Sequence, residues 1–564
     1  MSNAATAKAP ARPCPNWGAM TLASLLTKLA HARRDDQFIS VENGPSLTFR
    51  DAQLQVRTLS QFFVEQGLHQ GDCVLIRQGR QIDGLIAVLA CARAGLDACI
   101  VPEGMSAREV VEGAAPLTPK LVLDAGRRTK ARTMEIAAGL FTVRLVCGFG
   151  QGQTSKLVDG MVDCSPSELE KLDLGKDGIA EPANLDPERD GLIHFLRSGA
   201  SDRVDRMTRT QSHLLTQALA NAMMMRLTTA SSIGTAYDPS GANGLLMVMA
   251  PAIVVGTSVH LFDGLNPDVA KIVHDWCDAK RHGVGVMPLT LRDSGLIASR
   301  GNELKSVWLS TSVPKQEKDA APFGPGELLA VDLGGVAFAR ATSAQDQGFS
   351  IESGVIEIAG GNGQVMQFGT FGLRAVAKEN SDSETLMSGE VTVAGPMAAR
   401  RDGHIWQTQR TGIMARAAEQ ENGPPVFVLS ESDRDVRLGG QYVSLAKVNR
   451  CLMLTGRWQD AAAYSISDPL VGVRLEVAVQ PRLNDEGETI SGDLPTLDDV
   501  RGLLQDSGIG DAMLPTVMHL VTSVPRGLSG HVVVEELADK LIDVTGTDAV
   551  ELDEEIESDH HAAA

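Results

Sequence analysis

The residues able to do chemistry gather between Asp190 and Leu215, D-G-L-I-H-F-L-R-S-G-A-S-D-R-V-D-R-M-T-R-T-Q-S-H-L-L. A short apolar run, Leu192 to Leu196, ends in a Ser-Gly turn. A polar loop follows, then a run from Gln211 to Met225 with helical spacing. Strand, glycine-containing loop and helix is the layout of a phosphate cradle. Such a cradle uses several glycines, so that backbone N–H groups can close on the anion, and usually a lysine as counter-charge. This loop has a single glycine, Gly199, and places Asp202 and Asp205 where a polyanion would feel them. The frame of an ATP site stands here with its charges altered. His194 and His213 flank the loop and read as structural.

The surrounding elements must position that loop. At 564 residues, with 43% apolar and 22% charged side chains, the chain has the composition of a globular protein with several cores. The net charge of −20 argues against nucleic acid and anionic membranes as partners. No apolar run approaches the ~18 residues of a membrane span. Eight cysteines are scattered without a C-x-x-C pair, which reads as buried free thiols in a reducing cytoplasm. The twelve histidines show no H-x-x-x-H pair, so no metal site is expected.

Residues 1–18, rich in Ala and Pro, read as a disordered arm. Helices are expected over Met20–Ala32, Ala52–Gly67, Ile82–Ala94 and Ala107–Ala114. Strands are expected at Cys73–Ile76, Leu96–Val101 and Leu121–Asp124, with a hairpin around Asn43-Gly44. Strands alternating with helices imply a parallel sheet covered on both faces. From Gly348 to about Val393 short β runs suggest a smaller β subdomain. The polar stretch Ser430–Asp435 suggests a boundary, giving a large domain over 19–432 and a small α+β domain over 433–545. An acidic, solvated tail would then cover 546–564.

Several segments, in order, resemble the adenylate-forming superfamily of acyl-CoA synthetases, adenylation domains and luciferases. They are L-T-F-R-D-A at Leu47 to Ala52, A-R-A-G at Ala92 to Gly95, G-V-M-P-L-T-L-R at Gly285 to Arg292 and D-G-H-I-W-Q-T-Q-R-T-G at Asp402 to Gly412. G-G-Q-Y-V-S at Gly439 to Ser444 and V-P-R-G-L-S-G-H at Val524 to His531 complete the order. The resemblance implies a large N-terminal α/β domain of two doubly wound sheets plus a β subdomain, then a small C-terminal α+β domain. It also implies a carboxylate attacking the ATP α-phosphate, chemistry that leans on cations and fixed donors.

Carried onto this chain, the family's phosphate loop S-G-T-T-G-x-P-K-G falls on Ser198, Gly199, Ala200, Ser201, Asp202, Arg203, Val204, Asp205 and Arg206. Asp205 stands at the lysine position, and Arg203 or Arg206 is expected to compensate in part. The family's Y-G-x-T-E falls on Leu333, Gly334, Gly335, Val336 and Ala337, which removes a magnesium ligand. T-G-D falls on Thr411, Gly412 and Ile413, which has no acceptor for a ribose hydroxyl. The G-R that opens the hinge is Ser430-Glu431, with Asp433 at the hinge position, and the late lysine is His531. Gly439 and Gly440 match the loop that lines the pantetheine tunnel in CoA-using relatives, and read otherwise as a tight turn of the small domain. By the same resemblance, the helix bearing Met223, Met224 and Met225 and the run Leu245 to Val255 would flank an acyl pocket, and read otherwise as ordinary core.

Asp205, Ala337, Ile413, Glu431 and His531 are altered together around one ligand. That pattern implies an acyl-CoA-synthetase-like protein with weak or absent ATP-dependent adenylation, a pseudoenzyme that binds a carboxylate or acyl-CoA thioester or partners an active protein. That reading commits to no cofactor. The alternative is a working ATP-dependent carboxylate–CoA ligase using ATP, Mg and CoA, with His531 serving as the catalytic cation. The third reading is a structural interaction protein.

Overall fold

Apolar strands buried on both faces need helices on both sides, and the order of strands and helices supplies them. The computed structural model describes residues 12–13, 16–77, 82–102, 105–125, 130–149, 160–171, 185–198, 204–263, 266, 268–292, 304–310, 323, 326–344, 348–359, 365–375, 388–401, 408–420, 423–430, 435–438, 441–454, 457–468, 472–482, 494–525, 537 and 540–541. Two compact units emerge. The first is Met1–Ser444 with Ser467–Val473 and Gly508–Met513, and the second is the remainder. The division thus falls after Ser444, later than the expected Ser430–Asp435 boundary, of which 431–434 lie outside the described residues.

The first unit holds two large sheets. One runs, in spatial order, Val162–Asp163, Leu145–Gly148, Leu121–Asp124, Cys73–Arg77, Asp97–Val101 and Ile193–Ser198, all parallel. Val204–Arg209 and Arg400–Arg401 then extend it antiparallel. The other starts at the edge strand Ser46–Thr48, antiparallel to Gln37–Val41, and continues in parallel through Ser258–Leu261, Ser232–Thr235, Gly283–Pro288, Ser306–Ser310 and Glu327–Leu333. From Ala337–Ala344 onward the pairings are antiparallel, except that of Arg12–Pro13 at the far edge. The β runs after Gly348 therefore continue this sheet's hydrogen-bonded path. The helix Ile82–Ala94 is buried on every side, as an all-round apolar sequence requires.

Two expectations change. The helix does not follow the polar loop directly, because Val204–Arg209 forms a strand first. Its alternation is masked in the sequence by the charged residues Asp205, Arg206 and Arg209. The N-terminal arm is also partly ordered. Arg12–Pro13 pairs in parallel with Met366–Gln367, and the Trp17 indole donates to Thr216 Oγ1 at 3.1 Å.

The second unit contains Val517–Leu520 and all but the adjoining ends of the strands Asp460–Asp468 and Gly472–Gln480. The buried Glu476 carboxylate accepts from Tyr464 Oη at 3.1 Å, Arg474 Nε at 2.8 Å and His519 Nε2 at 2.9 Å.

In the first unit, the helix Gln211–Met224 is anchored at its start by a buried cap. Thr210 supplies it from extended backbone, its hydroxyl accepting from His213 N at 3.1 Å. Thr210 is fully buried, so water cannot replace the cap. Thr210→Ala is expected to lower unfolding stability by about 1–2 kcal/mol, read as a shift of the urea midpoint at unchanged slope.

Candidate functional site

The two segments that flank the expected phosphate loop form an antiparallel strand pair. Ile193–Ser198 and Val204–Arg209 pair antiparallel, with Asp205 opposite Arg197, Arg206 opposite Leu196 and Met207 opposite Phe195. Directly paired residues share a face. One face therefore carries Arg197, Asp205, Met207 and Arg209, and the other carries Leu196, Val204 and Arg206. Space around two glycines identifies what each face meets. A Cβ on Gly335 would touch Met207 Cγ at 3.2 Å and the Arg197 guanidinium, whereas a Cβ on Gly113 would meet Leu196 and Val204. Asp205 thus lies on the face that packs on the Gly334–Gly335 turn, and Arg206 lies on the opposite one.

That turn joins Glu327–Leu333 to Ala337–Ala344, with Leu333 paired to Ala337. Gly334 and Gly335 both take positive φ, +66° and +76°, which L side chains resist. Asp332 Oδ1 accepts from Gly335 N at 2.6 Å and steadies the bend. The turn's carbonyls face inward and meet cations. Arg197 Nη1 donates to Gly334 O. Arg209 Nη2 donates to Gly335 O at 2.9 Å and Val336 O at 3.1 Å, and its Nη1 to Met397 O at 3.3 Å. Arg209 is fully buried, and burial pulls its pKa down to about 10, with Asp332 opposing, so it stays charged at neutral pH. Two guanidiniums at the phosphate end are thus engaged by backbone oxygen.

The third segment is closed on itself as well. Thr411 Oγ1 donates to Val391 O at 2.7 Å and accepts from Ile413 N at 3.1 Å. Gly412 N donates to Glu390 Oε1 at 2.9 Å, and Arg410 Nε donates to Glu390 Oε2 at 2.6 Å. Ile413 is 8% exposed and Ala337 fully buried, both within the apolar core. A Cβ on Gly334 would run into Thr411 O, so this segment and the turn are in close contact.

The structure thus brings Asp205, Gly334, Ala337, Thr411 and Ile413 into one region, with Arg206 turned away from it. Ser198 ends its strand. Gly199, Ser201, Arg203, Glu431, Asp433, Gly439, Gly440 and His531 lie outside the described residues. Sequence reasoning missed Arg197, Arg209, Asp332 and Glu390. Reading 204–209 as a strand would have paired Arg197 with Asp205 and exposed the first of them.

A sequence profile described as AMP-binding enzyme matches residues 27–165. No individual curated protein matches the chain in sequence. Among solved structures, the amide bond synthetase McbA from Marinactinospora thermotolerans is similar at 17% identity and a TM-score of 0.65, covering 92% of this chain and 99% of its own. A double mutant of the o-succinylbenzoate CoA synthetase MenE from Bacillus subtilis, with a bound product analogue, is similar at 13% identity and 0.63, covering 92% and 99%. ATP-bound MatB from Rhodopseudomonas palustris is similar at 17% and 0.53, covering 91% and 97%. The fold is that of the adenylate-forming superfamily. Its expected architecture, two doubly wound sheets with added β strands and a small second unit, is present.

This geometry has two measurable outcomes. Gly334→Ala is expected to lower stability by at least about 2 kcal/mol, from the left-handed φ and the crowding at Thr411 O, measured by urea unfolding. The other concerns His213. Burial, then the charges of Arg400 and Arg209, pull its pKa from 6.5 to about 3. Between those values the unfolded chain holds the extra proton, so His213 makes stability fall as pH drops through that window. Between pH 6.5 and 5 the wild type should lose about 1–2 kcal/mol more than His213→Gln, measured as paired denaturation curves.

Proposed function

We propose that this chain is an acyl-CoA-synthetase-like protein in which ATP-dependent adenylation is weak or absent. It binds an acyl group, as carboxylate or thioester, or acts as the non-catalytic partner of an active protein. The observation that carries this reading is the state of the phosphate end. The cations Arg197 and Arg209 donate to the carbonyls of Gly334, Gly335 and Val336, while the anion Asp205 lies on the same face. A triphosphate seated there would meet a carboxylate where the family offers an ammonium. At an effective dielectric near 20 and about 4 Å, one such contact opposes binding by about 4 kcal/mol before screening.

ATP and magnesium therefore do not fit the described residues. Ala337 offers no oxygen to a hard cation, and Ile413 offers no acceptor to a ribose. The MatB structure holds ATP and the MenE structure a CoA-type product analogue, so the fold accommodates both kinds of ligand. Support for an acyl ligand here comes from the wall formed by the Gln211–Met224 helix and the buried run after Ala242, which keeps its apolar character. Such a protein, without a membrane-spanning helix among its described residues, would work in the cytoplasm.

The test is ligand-dependent stability of the full chain. Acyl-CoA is expected to raise the melting temperature, and Mg-ATP is expected to leave it unchanged. At a ligand concentration of 100 Kd the gain would be about 2.7 kcal/mol. Carboxylate-dependent ATP–pyrophosphate exchange above a heat-killed control would remove this reading in favour of a working ligase.

A further inference from the structure

We draw no further inference here: the strongest candidate, the side-chain cluster of Tyr464, Arg474, Glu476 and His519 on the three-stranded sheet of the second unit, has its buried carboxylate satisfied by donors from within the cluster, and nothing among the described residues shows what ligand or partner would meet it.

Discussion

Among the described residues, the buried Arg209 ties the two large sheets of the first unit together, with Arg197 beside it. Arg209 leaves the last position of the strand Val204–Arg209 and donates to Gly335 O, Val336 O and Met397 O, which belong to the turn and loop of the other sheet. A guanidinium with no access to water is destabilising unless oxygen surrounds it. The positive φ of Gly334 and Gly335 makes that possible, by turning successive carbonyls toward one side. The same geometry draws in Arg197. Stability of the seam and the engagement of these two guanidiniums by backbone oxygen are thus one arrangement.

The neighbouring segments are closed by contacts of their own. Where an acceptor or cation is missing, the neighbourhood is closed by substitute contacts. Thr411 bonds within its own strand region, Glu390 takes Gly412 N and Arg410, and Ile413 and Ala337 join the apolar core. Buried polar groups need partners, and here most are found inside the chain. Among the described residues, the atoms that lack a hydrogen-bond partner include His194 Nε2 and Arg209 Nε as well as His213 Nδ1, Gln217 Oε1 and Tyr237 Oη. Burial, with Asp332 adding to it, raises the Tyr237 phenol, so it remains a neutral donor.

Much of the fold was legible because its signals are local. Ile82–Ala94 was bounded to the residue by its apolar run and Gly95, and the Asn43-Gly44 hairpin by its turn chemistry. Asn43 does take the left-handed φ such a turn asks for. Val204–Arg209 was not legible, because its charges make sense only once Asp205 faces Arg197 and Arg209 faces the distant turn. The site was legible as a set of positions and altered residue types. Its substitute contacts were not, since Arg209 reaches a carbonyl 126 residues away and no spacing rule predicts that.

The N-terminal segment has a consequence for how the molecule is made. Leu22 N, at the start of the first helix, donates to Gln211 Oε1, 189 residues later, and Trp17 finds its partner 199 residues away. The first long strand, Gln37–Val41, waits for Ser258–Leu261 before it has a parallel neighbour. During synthesis, the opening stretch leaves the ribosome long before its seat exists. Chaperones would therefore meet an amphipathic helix and a half-paired strand, held in suspense until the middle of the chain emerges.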